Sequence, residues 1–282
     1  MNRLETIKNI IELIRELYID SDLAEKVASG IEEYLKSQAG STRVAMVDSN
    51  DYIWEINNII NSITHDLHFH IEKHQQAYDT HQIVWRYTPH HIGLLKLDNI
   101  NDENVRNEII HIFGQLQDPV ILDLRGCRGG SVETMLFLLS HFFDDGTPLI
   151  DVHTRLNPVM NLKAVSVIKC FERANIVKKY KGRLKVLIDS FTYSGGEIIA
   201  KTLQTHGRAK IYGTPTVGMT NMTNTRNFGE LDLYLPHAKI TDAFTKEDYD
   251  KKGVIPDFSP VTKEYIQTLF SELFVDTYSV YQ

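Results

Sequence analysis

Cysteine is scarce in this chain. Cys127 and Cys170 are the two in 282 residues, too few for a disulfide framework. No run is long and apolar enough to span a bilayer. Met1-Asn2-Arg3-Leu4-Glu5 leads straight into an amphipathic pattern with acids in it, not into the continuous apolar stretch of a secretory leader. Lys and Arg form no stripe, and the net charge of −7 is spread along the chain, which argues against nucleic acid as the main partner. No segment is repeated or low in complexity. These absences set the expectation of a cytoplasmic protein with no membrane attachment. The 42% hydrophobic content is enough for a proper core, in one large domain or two smaller ones.

Hydrophobic periodicity divides the chain near residue 75. Leu4, Ile7, Ile10, Ile11, Ile14 and Leu17 recur at helical spacing, and Leu23, Val27, Ile31 and Leu35 repeat it after a capping Asp20 or Ser21. Gly40-Ser41-Thr42 breaks the pattern, and a third helix runs from about Ser49 to Asp66. Alternation at 67–71 and the run 92–97 read as strands. Beyond Asn101 strand and helix alternate: a helix on Val105 to Leu116, a buried strand at 119–124, a helix from Val132 to Phe143, strands at 184–188 and 209–213, a hairpin from Asn224 to Pro236, and a last helix from about Thr262 to Phe274. The expected architecture is a helical domain over residues 1–75 followed by an α/β core over 76–282.

Two strand-to-helix turns carry the chemistry. Phe191-Thr192-Tyr193-Ser194-Gly195-Gly196-Glu197 follows the apolar strand 184–188 and opens a helix. First-turn N–H groups favour negative charge developing near Ser194, and the Gly195 N–H is half of an oxyanion hole. The plainer account makes Ser194 an N-cap, with Glu197 completing a capping box. Thr192 stands where the nucleophile elbow of α/β-hydrolases has its first glycine, so this is not that motif. The second turn, Asp123-Leu124-Arg125-Gly126-Cys127-Arg128-Gly129-Gly130, has no dinucleotide or P-loop spacing. Side by side with the first it would supply a second oxyanion N–H from Gly129 or Gly130; on its own it is a tight structural turn.

Together these turns resemble the tail-specific, or C-terminal processing, serine peptidases, a superfamily that includes the tricorn core and interphotoreceptor retinoid-binding protein. Asp-Leu-Arg-Gly-x-x-Gly-Gly at 123–130 carries the resemblance, with Thr192 to Glu197, Gly207-Arg208-Ala209-Lys210 and Gly213-Thr214-Pro215-Thr216-Val217-Gly218 in the same order. It extends over nearly the whole chain, with the helical first 75 residues like the N-terminal domain of the retinoid-binding-protein branch. The resemblance implies a ClpP- or crotonase-like α/β core and leaves no room for a PDZ module. Members with a Ser/Lys pair place the general-base lysine directly after the glycine matching Gly218; here that residue is Met219. The tricorn-like branch takes its base from an Asp-x-His pattern, which maps onto Asp66-Leu67-His68 and selects His68. His70, on the same side of an expected strand, is the second candidate. The branch's acid precedes Gly-Val-x-Pro-Asp, here 253–257, and falls on Asp250, an aspartate where glutamate is more usual.

The resemblance therefore implies a serine endopeptidase with a Ser194-His68-Asp250 triad and an oxyanion hole of Gly195 with Gly129 or Gly130. Glu197 is expected as a cap or supporting carboxylate. The substrate is a peptide or protein, such as a small intracellular precursor. No cofactor is expected, and a homo-oligomer is left open. His65, His68, His70 and His74 are poor candidates for metal ligands, since no Cys or Glu motif accompanies them. Cys127, where the family usually has asparagine, reads as a small buried residue. The alternative function is a non-catalytic carrier of hydrophobic ligands, of the retinoid-binding-protein type.

Overall fold

A computed structural model describes residues 3–45, 50–75, 83–88, 91–100, 103–157, 162–170 and 178–259. The expected helix from Thr262 to Phe274 lies outside them. The chain folds as two compact units, Met1–Ala77 with Val152–Ser166 and Asn221–Ile240, and Tyr78–Asp151 with Val167–Thr220 and Thr241–Gln282. Among the described residues no helix is long and apolar enough to cross a membrane.

The first unit is built on α1 (Arg3–Leu17), α2 (Ser21–Lys36), α3 (Gln38–Ala45) and α4 (Asn50–Thr64). Ile7, Ile10, Ile14, Val27, Ile31 and Ile60 are wholly buried in one core, as their helical spacing requires. The Asp20 carboxylate accepts the Asp22 and Leu23 N–H groups and so caps α2. Gly40-Ser41-Thr42 lies inside α3, contrary to expectation. The break falls at Ser37, whose N–H closes α2 on the Glu33 and Tyr34 carbonyls and whose hydroxyl accepts the Gly40 N–H. A Cβ on Gly40 would stand 1.9 Å from the Tyr34 oxygen, so glycine is what lets the chain turn there.

The unit's sheet includes β1 (His70–Lys73), β9 (Met222–Asn227) and β10 (Leu231–Asp242), with β5 (Pro148–Asn157) and β6 (Leu162–Lys169) in the order β1-β10-β5-β6; β9 also pairs with β10. β1 is antiparallel to β10, His70 opposite Tyr234 and Lys73 opposite Leu231. The expected hairpin 224–236 forms and is longer at both ends. β1 starts later than the alternation suggests, because 65–69 is a turn: Thr64 Oγ1 accepts the Asp66 N–H, Asp66 Oδ1 accepts the His68 N–H, and the Asp66 carbonyl accepts the Phe69 N–H. His68 is therefore not a strand residue, and strand parity does not relate it to His70. Two later segments, Val152–Ser166 and Asn221–Ile240, belong to the same unit as the first. β10 supplies the partner for β1, and the Arg155 guanidinium donates to the Tyr18 and Arg15 carbonyls at the end of α1.

The second unit contains β2 (Ile83–Tyr87), β3 (Gly93–Leu97), α5 (Glu103–Gln115), β4 (Val120–Asp123), α6 (Val132–Ser140), β7 (Leu184–Ile188), α7 (Gly195–Thr205) and β8 (Lys210–Gly213). Their sheet runs β2-β3-β4-β7-β8 and is parallel except for β2. β4 and β7 are buried throughout, as central parallel strands must be. α5 packs on α6, and α6 on α7. β4 and β7 are neighbours with Asp123 opposite Leu187, so the two chemical turns leave the sheet side by side at its carboxyl edge, where α/β folds place their ligands. This is an α/β fold with N-terminal helices.

Candidate active site

Ser194 stands at the N-cap of α7 with φ 54° and ψ −124°. A helix cap has extended backbone at negative φ. A serine held at positive φ carries strain of roughly 1–3 kcal/mol, which persists only where the surroundings impose it. Three backbone bonds do so: the Ser194 N–H donates to the Met219 carbonyl (2.9 Å), the Tyr193 N–H to the Cys127 carbonyl (3.0 Å) and the Gly196 N–H to the Tyr193 carbonyl (3.1 Å). The expected capping box is also present, and within it the Glu197 carboxylate accepts the Ser194 N–H at 3.1 Å.

The glycine turn lies directly against this serine. A Cβ on Gly129 would meet the Gly195 nitrogen at 2.4 Å and Ser194 Oγ at 3.1 Å, so only glycine allows the approach. A Cβ on Gly195 would lie 3.2 Å from Gly129 Cα and 3.5 Å from the Gly130 nitrogen. Gly129, Gly130 and Gly195 are thus brought together around Ser194. The Gly129 N–H interacts with the Cys127 thiol. Burial pushes that thiol up to about 11, so Cys127 is a packed, protonated residue. Arg125 folds back on the buried Asp123 through two bonds, Nε to Oδ1 (2.8 Å) and a terminal nitrogen to Oδ2 (2.7 Å).

Glu197 does more than cap. Its carboxylate is fully buried; Oε1 accepts Thr216 Oγ1 (2.5 Å) and the Gly218 N–H (2.6 Å), and Oε2 accepts the N–H groups of Met219 (2.8 Å) and Ser194 (3.1 Å). Burial raises its pKa, against the pull of these donors. Four donors converging on two oxygens need a group that only accepts. Glu197→Gln puts an amide NH2 against at least one backbone N–H, and a buried N–H without a partner costs about 1–3 kcal/mol. The variant is expected to lose about 5- to 150-fold in turnover and to melt several degrees lower. An unchanged rate and melting temperature would show that the carboxylate is dispensable.

The loop 216–219 is locked to the acid's turn. A Cβ on Gly253 would stand 2.3 Å from the Thr216 carbonyl oxygen, and one on Gly218 2.7 Å from the Lys252 nitrogen. Asp250 Oδ1 accepts the Thr220 N–H (3.2 Å), one residue beyond the carbonyl that holds Ser194. Two of the other nearby acids are engaged elsewhere. Asp242 Oδ1 accepts the Phe244 and Thr245 N–H groups and its Oδ2 the Thr205 hydroxyl, while Glu247 pairs with Lys201 at 2.6 Å. Lys210 pairs with Asp257 at 3.3 Å.

In the first unit, Asp66 explains why the histidine motif carries an aspartate. It is buried, holds the His68 N–H through Oδ1 (3.0 Å) and accepts Asn221 Nδ2 through Oδ2 (3.2 Å). His68 is itself buried. His70 stacks on Tyr234 with ring centroids 4.5 Å apart, and burial lowers its pKa. His74 Nδ1 lies 2.8 Å from Asp232 Oδ2. The supporting contacts of Asp66, Asn221 and Thr216 go beyond what the sequence suggested. An aspartate two residues before a histidine that follows a helix was a usable Asx-turn signal; the others had none.

Residues 91–259 match the peptidase family S41, a span that takes in both turns, the loop 216–219 and Asp250. Over 125 residues the chain is 28% identical to the tail-specific protease of Haemophilus influenzae, covering 44% of this chain and 16% of that protein. Over 179 residues it is 28% identical to the chloroplastic carboxyl-terminal-processing peptidase 2 of Arabidopsis thaliana, covering 62% and 32%. The chain thus spans less than a third of the length of either relative. The tricorn protease structure has the same fold, with a TM-score of 0.61 over 98% of this chain and 37% of that one at 11% identity. With the family's match covering more than half of its residues, the chain belongs to peptidase family S41.

Proposed function

We propose that the chain is a serine peptidase that cleaves peptide or protein substrates through an acyl-enzyme. The observation that carries this reading is Ser194, held at positive φ with its hydroxyl against the glycine turn. A ligand carrier has no use for that strain, so the non-catalytic alternative is not favoured. Ser194 Oγ attacks the scissile carbonyl while His68 takes its proton. The carbonyl oxygen becomes an oxyanion held by the N–H groups of Gly195 and of Gly129 or Gly130. Collapse breaks the C–N bond, and the leaving amine takes the proton from His68. Water then attacks the ester with His68 again accepting a proton, the oxyanion reforms, and collapse returns the proton to Ser194 and frees the carboxylate product.

Asp250 is the acid in this reading, orienting His68 and stabilising its imidazolium. Thr220, which holds Asp250, and Asn221, which holds Asp66, are consecutive in the chain. Asp250→Asn is expected to lower the turnover rate by about 10⁴-fold with a much smaller change in KM, and Asp250→Glu to keep most of the activity. Turnover preserved in Asp250→Asn would remove it from the triad. The reading as a whole is tested by a fluorophosphonate probe followed by peptide mapping. The adduct is expected on the peptide containing Ser194; no adduct, or one elsewhere, overturns it.

A further inference from the structure

The two oxyanion donors come from different turns, so something must fix the distance between them. The strand ladder ends with the Leu124 N–H on the Leu187 carbonyl. Beyond it, the Asp189 carboxylate bridges the turns with one oxygen. Asp189 Oδ1 accepts the Gly126 N–H of the glycine turn (3.0 Å) and the Phe191 N–H of the nucleophile turn (2.9 Å). Thr192 works beside it. Its buried hydroxyl donates to the Leu124 carbonyl (2.8 Å) and accepts the Asp189 N–H (3.0 Å), with Asp189 Oδ1 at 3.2 Å. Both residues lie within five positions of Ser194, and neither has an acid–base part in the reaction.

Resting on the assignment of Ser194 as nucleophile, we propose that Asp189 and Thr192 are positioning residues that clamp the glycine turn to the nucleophile turn and so set the oxyanion hole. Such a clamp acts on the developing oxyanion and leaves ground-state binding nearly untouched, because donors misplaced by a fraction of an ångström lose most where the charge forms. It also makes a chemical distinction. A single oxygen holds both N–H groups, so Asp189→Asn keeps the bridge through its amide oxygen and Asp189→Ala loses it. By the same reasoning Thr192→Ser keeps the hydroxyl bonds and Thr192→Val, of nearly the same shape, loses them.

Labelling by a fluorophosphonate probe tests this, because phosphonylation of Ser194 expels fluoride and leaves the phosphoryl oxygen in the oxyanion hole. Asp189→Ala and Thr192→Val are expected to lower the saturating labelling rate about 10- to 100-fold, with the probe's half-saturation concentration within about threefold of wild type and all the protein labelled at the end point. Asp189→Asn and Thr192→Ser are expected to stay within about threefold of the wild-type rate. A purely structural role would instead reduce the fraction labelled without slowing it, and would overturn the proposal. So would wild-type rates in the Ala and Val variants, or Asn as slow as Ala. If Asp189→Ala does not fold, the Thr192 pair decides. A wild type that takes no label removes the nucleophile assignment on which the clamp rests, whereas a labelled wild type with equally fast variants removes the clamp alone.

Discussion

Ser194→Ala is expected to lower peptide hydrolysis by about 10⁶-fold and to eliminate fluorophosphonate labelling, while the melting temperature stays close to that of wild type. Alanine at φ 54° bears the same backbone strain as serine, so the substitution deletes the hydroxyl and little else. Ser194→Gly provides a second, opposite reading. It is expected to be equally inactive but more stable by about 1 kcal/mol, because glycine adopts positive φ without the Cβ penalty. A gain in stability with loss of activity would show that the strain is retained for function. Labelling that persists in Ser194→Ala would place the nucleophile elsewhere.

His68→Ala is expected to reduce turnover nearly as far, since the members of a triad act as a unit. The base must be neutral to accept a proton, so activity should rise with pH through the pKa of the residue that serves. An ordinary histidine puts that midpoint at about 6.5. His70 gives a different limb: burial lowers its pKa, so a rate governed by it would reach its plateau at lower pH, and His70→Gln rather than His68→Ala would remove the activity. The lysines give a third outcome. Lys201 is paired with Glu247 and Lys210 with Asp257, and both are expected to be replaceable by alanine with little loss. Should Lys201→Ala abolish turnover while His68→Ala is tolerated, a Ser/Lys mechanism would have to replace this one.

Part of this organisation was legible in the residues alone. The helices of the first unit follow from isoleucines at helical spacing, and β4 and β7 from unbroken apolar runs, because burial of one face or of both is written locally. The glycines of both turns, and Met219 in place of a lysine, could likewise be read along the chain. Local pattern failed where a polar side chain stood in for an element. Asp66 ends the alternation that suggested a strand at His68, and Ser37 closes one helix and opens the next where Gly40 was expected to break it.

What only the tertiary structure decided are relations between residues far apart in sequence. β1 pairs with β10 more than 150 residues later, which draws residues 221–240 into the first unit, and no periodicity along the chain encodes a strand's partner. Gly129 meets Ser194 because β4 and β7 are sheet neighbours, although the two residues are 65 positions apart in sequence. The sequence determined which groups are chemically competent. The fold determined what each one does, since the carboxylates of Asp189 and Glu197 are defined by the N–H groups brought to them from other turns, and those bonds exist only once the sheet has formed.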